Sequence, residues 1–274
     1  MIRKAALISG FLLLSAVGAF AGQYIERELP CPACGLPFYA KLDADSSQNP
    51  EMRLDLKPVG GDPWLLPSCP KCGFVSYKLP IPAAELARGR AIIASESYRK
   101  NLGRSTYFRV GLLYEKLGKP PYAVATSFLK ASWQEEYNPA KLKEDLELGL
   151  KYFSVCAQTC GQEEKENSLL LMGELLRRLG RFGEAKAHLA GLQGQKGFTK
   201  NFFADIVEFE LKRCEKQDSA TYEMEDVRDF KRSLPEKIKV RLKRLVKYLS
   251  DLGEKTAESA PTDRKALSPE PDAR

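Results

Sequence analysis

Four cysteines carry the plainest chemistry in this chain. Cys31 and Cys34 sit in CPACGLPFYA, and Cys69 and Cys72 sit in CPKCGFVSYK. Each phrase reads Cys-Pro-x-Cys-Gly and then runs into apolar and aromatic residues, with Tyr39 and Tyr77 in matching places. Two cysteines spaced by two can present both sulfurs to one ion. Gly35 and Gly73 permit a positive φ that turns backbone N–H groups toward the thiolates, and Pro32 and Pro70 stiffen the turn. Together the four predict a closed tetrahedral zinc site, structural rather than catalytic because no coordination position is left for water. A structural zinc supplies on the order of 10–16 kcal/mol to a small domain, against about 2–4 kcal/mol for one disulfide. Two other readings stay open: structural disulfides, and a thiol-disulfide oxidoreductase using one Cys-x-x-Cys pair. The redox motif needs a strand before it and a helix after it, whereas Leu36-Pro37 and the following aromatics favour a strand.

Other chemistry is scarce. The chain holds one histidine, His188, which argues against His-dependent triads and His-rich metal sites. No phosphate-binding loop, nucleophile elbow, zinc-protease or dinucleotide fingerprint occurs. The expectation is therefore a non-enzymatic protein. Cys156, Cys160 and Cys214 fall on expected helices and read as buried small hydrophobes. Cys156 and Cys160, four apart on one helix, are expected to stay unpaired.

The elements that must position the cysteines follow from composition. The 274 residues are 43% hydrophobic and 29% charged, which is ordinary for a globular chain. Residues 1–21 read as a signal peptide: Arg3 and Lys4 precede an apolar run from Ala5 to Phe20 and a small-x-small site at Ala19–Ala21. The alternative is an uncleaved anchor over residues 5–21. Either places the remainder outside the cytoplasm, periplasmic or extracellular. Residues 22–80 are rich in Cys, Pro and Gly, with β-like runs FYAKL, MRLDLK and FVSYKL, and read as a zinc-ribbon-like module. Trp64 is expected to pack against that module or the first helix.

Residues 81–252 carry helical periodicity punctuated at Gly103, Gly118 to Pro121, Asn138-Pro139, Gly161, Gly180 and Gly191. In SLLLMGELLRRLGRFGEAKAHLAGL, Gly173, Gly180, Ala185 and Leu189 have the small and large residues of a tetratricopeptide-like hairpin. YFRVGLLYEKLGKPPYAVATSFLKA matches less well: Gly111, Tyr114 and Gly118 fit, and Phe128 and Ala131 fit if its turn is one residue longer. Tyr107, Tyr114, Phe128 and Trp133 read as core aromatics. Between these two hairpins, Leu142, Leu146, Leu150, Phe153, Ala157 and Cys160 make one buried stripe. The expected fold class is mainly α: a small β zinc-ribbon module followed by a tetratricopeptide-like array of α-helical hairpins. Such an array suits a protein or peptide partner.

Residues 231–247 carry eight Lys/Arg and one Glu, a net charge of +7 that equals the whole chain's. Ser233 and Glu236 predict a capping box opening a helix over residues 231–252. Leu234, Ile238, Leu242, Leu245, Leu249 and Leu252 form an apolar stripe, and other positions carry Lys237, Lys239, Arg241, Lys243, Arg244 and Lys247. This helix either caps the array or meets an anionic membrane surface. No nucleic acid partner is expected. Residues 253–274, poor in large apolar groups, read as a disordered tail.

The chain resembles a bacterial family of unknown function that joins an N-terminal split zinc ribbon to tetratricopeptide-like helices. The resemblance rests on LPCPACGLPFYA, SCPKCGFVSY and YFRVGLLYEKLGKPPYAVATSFLKASW and covers roughly residues 29–195. It implies a helical array after the ribbon and supplies no reaction.

Overall fold

The computed structural model describes residues 24–43, 51–59, 66–198 and 202–258. The expectations for the signal segment and Trp64 lie outside the described residues. The protein is mainly helical, with one small antiparallel sheet near the N-terminus. Strand β1 (Tyr24–Pro30) pairs with β2 (Pro37–Asp43), with Glu28 opposite Tyr39 and Pro30 opposite Pro37. Ten α-helices follow among the described residues: α1 (Ala83–Ala94), α2 (Glu96–Arg99), α3 (Thr106–Leu117), α4 (Pro121–Gln134), α5 (Pro139–Thr159), α6 (Gln162–Arg178), α7 (Phe182–Leu192), α8 (Phe202–Glu215), α9 (Met224–Lys231) and α10 (Leu234–Glu258). Contacts divide the chain into a unit ending at Met224 and a second from Glu225 onward.

Two of the expected β runs do not form ladder strands. MRLDLK makes isolated bridges only, because its backbone pairs elsewhere: Leu54 N–H donates to Tyr222 O, and Met52 O accepts from Met224 N–H, each at 2.8 Å. Its side chains bind the helices as well. Arg53 reaches Glu136 at 3.0 Å, Lys57 reaches Glu136 at 2.6 Å, and the buried Asp55 takes Arg53 and Arg178. FVSYKL contributes one bridge, Val75 to Ser68. The strand β1, YIERELP, went unexpected because its alternation is mostly polar.

From α3 to α8 each helix packs on the next. Two hairpins close on a glycine facing a large side chain. A Cβ on Gly111 of α3 would meet the Phe128 ring of α4 at 2.7 Å; a Cβ on Gly173 of α6 would meet Leu189 of α7 at 2.4 Å. The partner lies 17 residues on in the first pair and 16 in the second, which is the one-residue-longer turn the sequence suggested. Phe128, Ala131, Ala185 and Leu189 are fully buried. Tyr107 and Trp133 are also buried, and Tyr114 is half-buried. In α5, Leu146, Leu150 and Phe153 are buried, as the stripe required; Leu142 and Ala157 are half-buried, and Cys160, also half-buried, lies beyond the helix end.

In the second unit α10 opens at Ser233, whose N–H and Oγ both donate to the Glu236 carboxylate at 2.9 and 2.7 Å. This is one half of the expected capping box. The side chains from Leu234 to Leu249 on the expected stripe are exposed. The helix continues to Glu258; the rest of the expected tail lies outside the described residues. No helix among the described residues is long and apolar enough to cross a membrane.

A buried charge cluster ties the start of α3 to the helices behind it. The Arg104 guanidinium meets Glu135 at 2.9 Å, Asp145 at 2.7 Å, and Glu144. Burial first, and the neighbouring Glu135 carboxylate second, push Asp145 up to about 9. Folded Asp145 therefore keeps a proton that the unfolded chain releases near 3.8. The resulting stability is complete below that value and is lost as pH rises toward 9. Asp145→Asn, which stays neutral, should become more stable relative to the parent as pH rises from about 5 to 9 in urea titrations. A constant difference across that range would refute the protonated Asp145.

The close-approach glycines give a second prediction. Gly111→Ala should cost about 1–3 kcal/mol in thermal or urea unfolding, because the Phe128 ring has no room to withdraw. Gly103→Ala, whose Cβ meets nothing within 4 Å, should leave stability unchanged or slightly raised.

Candidate metal centre

The two cysteine turns are built alike. In the first, Cys31 N–H donates to Leu36 O and Gly35 N–H to Cys31 O, each at 2.8 Å. In the second, Cys69 N–H donates to Phe74 O and Gly73 N–H to Cys69 O, each at 2.9 Å. Gly35 and Gly73 take φ of +75° and +72°. A side chain at Gly73 would also strike Leu102 at 2.2 Å. The first turn joins β1 to β2, so no helix follows CPAC.

All four expected ligands converge. Their sulfurs lie within 4.8 Å of one another, with Cys31 to Cys72 at 3.6 Å and Cys34 to Cys69 at 3.7 Å. These close pairs run between the turns, and all four thiols are free. A disulfide needs about 2.05 Å between sulfurs. A tetrahedral centre with metal–sulfur bonds of about 2.3 Å separates its sulfurs by about 3.8 Å. The observed spacing therefore fits one tetrahedral metal ion.

The site is buried on one side and open on the other. Cys31 and Cys69 are 2% exposed, Cys72 is half-buried and Cys34 is exposed. Burial pushes the Cys31 and Cys72 thiols up. The Leu36 N–H pulls Cys34 down to about 7. Side chains of the helices hold the turns from behind. Arg90 of α1 donates to Ala33 O at 2.7 Å and Pro32 O at 3.2 Å. Tyr98 OH and Arg109 Nη1 both donate to Gly73 O at 3.0 Å, and Arg109 Nη1 also donates to Ser68 Oγ at 2.9 Å. Cys31, Cys69 and Cys72 share one apolar cluster with Phe38, Phe74, Ile93, Tyr98, Leu113 and Leu117. Sequence reasoning missed Arg90, Tyr98 and Arg109, since nothing in a local motif points from one helix to a distant turn.

The remaining cysteines bring a correction. Cys156 and Cys160 form a disulfide, with Cα atoms 4.8 Å apart. The expectation of two unpaired thiols assumed a helix running through both residues. α5 ends at Thr159, and Cys160 is extended (φ −84°, ψ 168°), which carries its side chain out of the helical path. Cys214 is a buried free thiol, as expected. His188 Nε2 donates one hydrogen bond to Leu169 O, 2.7 Å away, and takes no part in the metal centre.

Elsewhere in the first unit, Met52, Leu56, Pro58, Tyr107, Leu129 and Trp133 line most of a cavity of about 220 Å3. The buried Trp133 Nε1 has no hydrogen-bond partner. Comparison with known protein families, curated proteins and solved structures finds no match.

In metal-free, reduced protein, iodoacetamide should label Cys34 first, at a rate rising through about pH 7 because the thiolate is the nucleophile. Peptide mass mapping reads the order. Labelling of Cys34 only near the ordinary thiol value of 9.0 would contradict the role of the Leu36 N–H.

Proposed function

We propose that the four cysteines hold one structural zinc ion, and that the protein is a non-enzymatic, exported scaffold whose helical hairpins receive a protein or peptide partner. One observation carries the reading: four free sulfurs from two matched turns, spaced as a tetrahedral centre spaces them. In this reading the turns and their strands are a zinc ribbon. Cys31, Cys34, Cys69 and Cys72 would take all four positions, so the metal would staple the chain and activate no water.

Charge supports a metal here. Arg109 is buried, and its guanidinium donates to the neutral oxygens of Ser68 and Gly73, directly after Cys72. Burial lowers its pKa. A divalent ion with four thiolates carries net charge −2 and would offset such a cation. The thiol oxidoreductase reading is disfavoured by the strand after CPAC and by sulfurs that approach across the turns. The glycine-closed hairpins support the tetratricopeptide-like reading, with the cavity beside Trp133 as a seat for an apolar side chain of the partner. Export is supported by the Cys156–Cys160 disulfide, a bond at home in oxidising compartments.

Elemental analysis and thiol counting on protein purified from its native compartment test the reading. The expected result is one zinc per chain, with Cys31, Cys34, Cys69 and Cys72 free once the metal is removed. Two disulfides among these four and no zinc would overturn it. Rapid disulfide exchange at Cys34 in the metal-loaded protein would favour the oxidoreductase instead.

A further inference from the structure

We propose that α10 is an interfacial helix that lays its apolar face into an anionic lipid surface. The inference rests on α10 alone and goes beyond the metal and scaffold reading. Leu234, Ile238, Leu242, Leu245, Val246, Tyr248 and Leu249 are each more than half exposed. At about 100° per residue they share an arc of roughly 160° on one side of the helix. Lys239 and Lys243, also exposed, project from outside that arc. Single exposed leucines are ordinary, but seven large apolar groups on one helix face mark a surface that binds something.

Charge chooses the occupant. Residues 231–247 carry eight Lys/Arg and one Glu. A second copy of the helix would bring an equally cationic segment against the first. An anionic headgroup layer is complementary to it, and each nearby cation adds to the attraction. The helix lies on the surface and does not cross it, since no helix among the described residues is apolar enough to span. Its length of 25 residues and an apolar arc that holds only Arg241 of its cationic positions are those of an in-plane helix. The Ser233–Glu236 cap fixes where the helix starts without any outside partner.

The test is hydrogen exchange on the full chain, read in peptides spanning 234–252, so that attachment through any other segment does not obscure the result. Vesicles of phosphatidylcholine alone are compared with vesicles that also contain phosphatidylglycerol. These amides should gain protection on the phosphatidylglycerol vesicles at low salt, gain none on phosphatidylcholine, and lose the protection at high salt. Lys239→Gln and Lys243→Gln should each weaken binding about fivefold. Leu242→Asp, at an exposed position, should remove the protection while circular dichroism stays unchanged. Absence of protection on anionic vesicles overturns the proposal. So does protection that Leu242→Asp or salt leaves intact. Protection that grows with protein concentration without vesicles, alongside dimers in sedimentation, assigns the face to a second copy and also overturns it.

Discussion

Four sulfurs share a space where each ligand atom is within 4.8 Å of the others. The N-terminal half of the molecule depends on what makes that tolerable. Two thiolates 3.7 Å apart repel by about 4 kcal/mol at an effective dielectric constant near 20. Four such charges cannot gather without a cation between them or protons upon them. Backbone N–H groups of Ala33, Cys34, Leu36 and Phe74 reach the sulfurs of Cys31, Cys34 and Cys72 and favour thiolates, while the protein buries Cys31 and Cys69 almost completely. A central divalent ion would resolve the repulsion and fix the geometry together. The two turns, 34 residues apart in sequence, would then become one body.

The surroundings are organised about that body. Arg90, Tyr98 and Arg109 bind main-chain carbonyls of the turns, so α1, α2 and α3 are placed by the cysteine loops as much as by each other. Phe74 and Tyr77 continue the same core toward Tyr114. In the helices, different devices serve. Gly111 and Gly173 let neighbouring helices close on a ring or a leucine, and buried ions such as Arg104 with Glu135 link helix ends. Such ions stabilise little when desolvation is counted, yet removing one partner strands the other, which restricts the packings available.

Much of this was legible in the sequence for local reasons. Cys-Pro-x-Cys-Gly specifies its own turn through the glycine φ and the cysteine spacing, so Cys31, Cys34, Cys69 and Cys72 could be grouped before any fold was known. Gly173 with Leu189, and the α5 stripe, follow from helical periodicity. What escaped depends on long-range pairing. Met52 to Lys57 alternates as a strand should, but its partners are Tyr222, Met224 and Glu136, far along the chain. The Cys156–Cys160 bond depended on where α5 stops, a boundary that composition sets only within a few residues. Glu174 and Arg177 pair in full burial on a helix whose Glu163 and Lys165 are exposed, and spacing alone does not distinguish them.

X-ray absorption at the zinc edge of the native protein addresses the metal centre most directly, because it reports ligand type and distance without altering the site. A four-cysteine zinc centre predicts a first shell of four sulfurs at about 2.3 Å. A first shell of nitrogen or oxygen near 2.0–2.1 Å, or protein with no zinc edge at all, would contradict it.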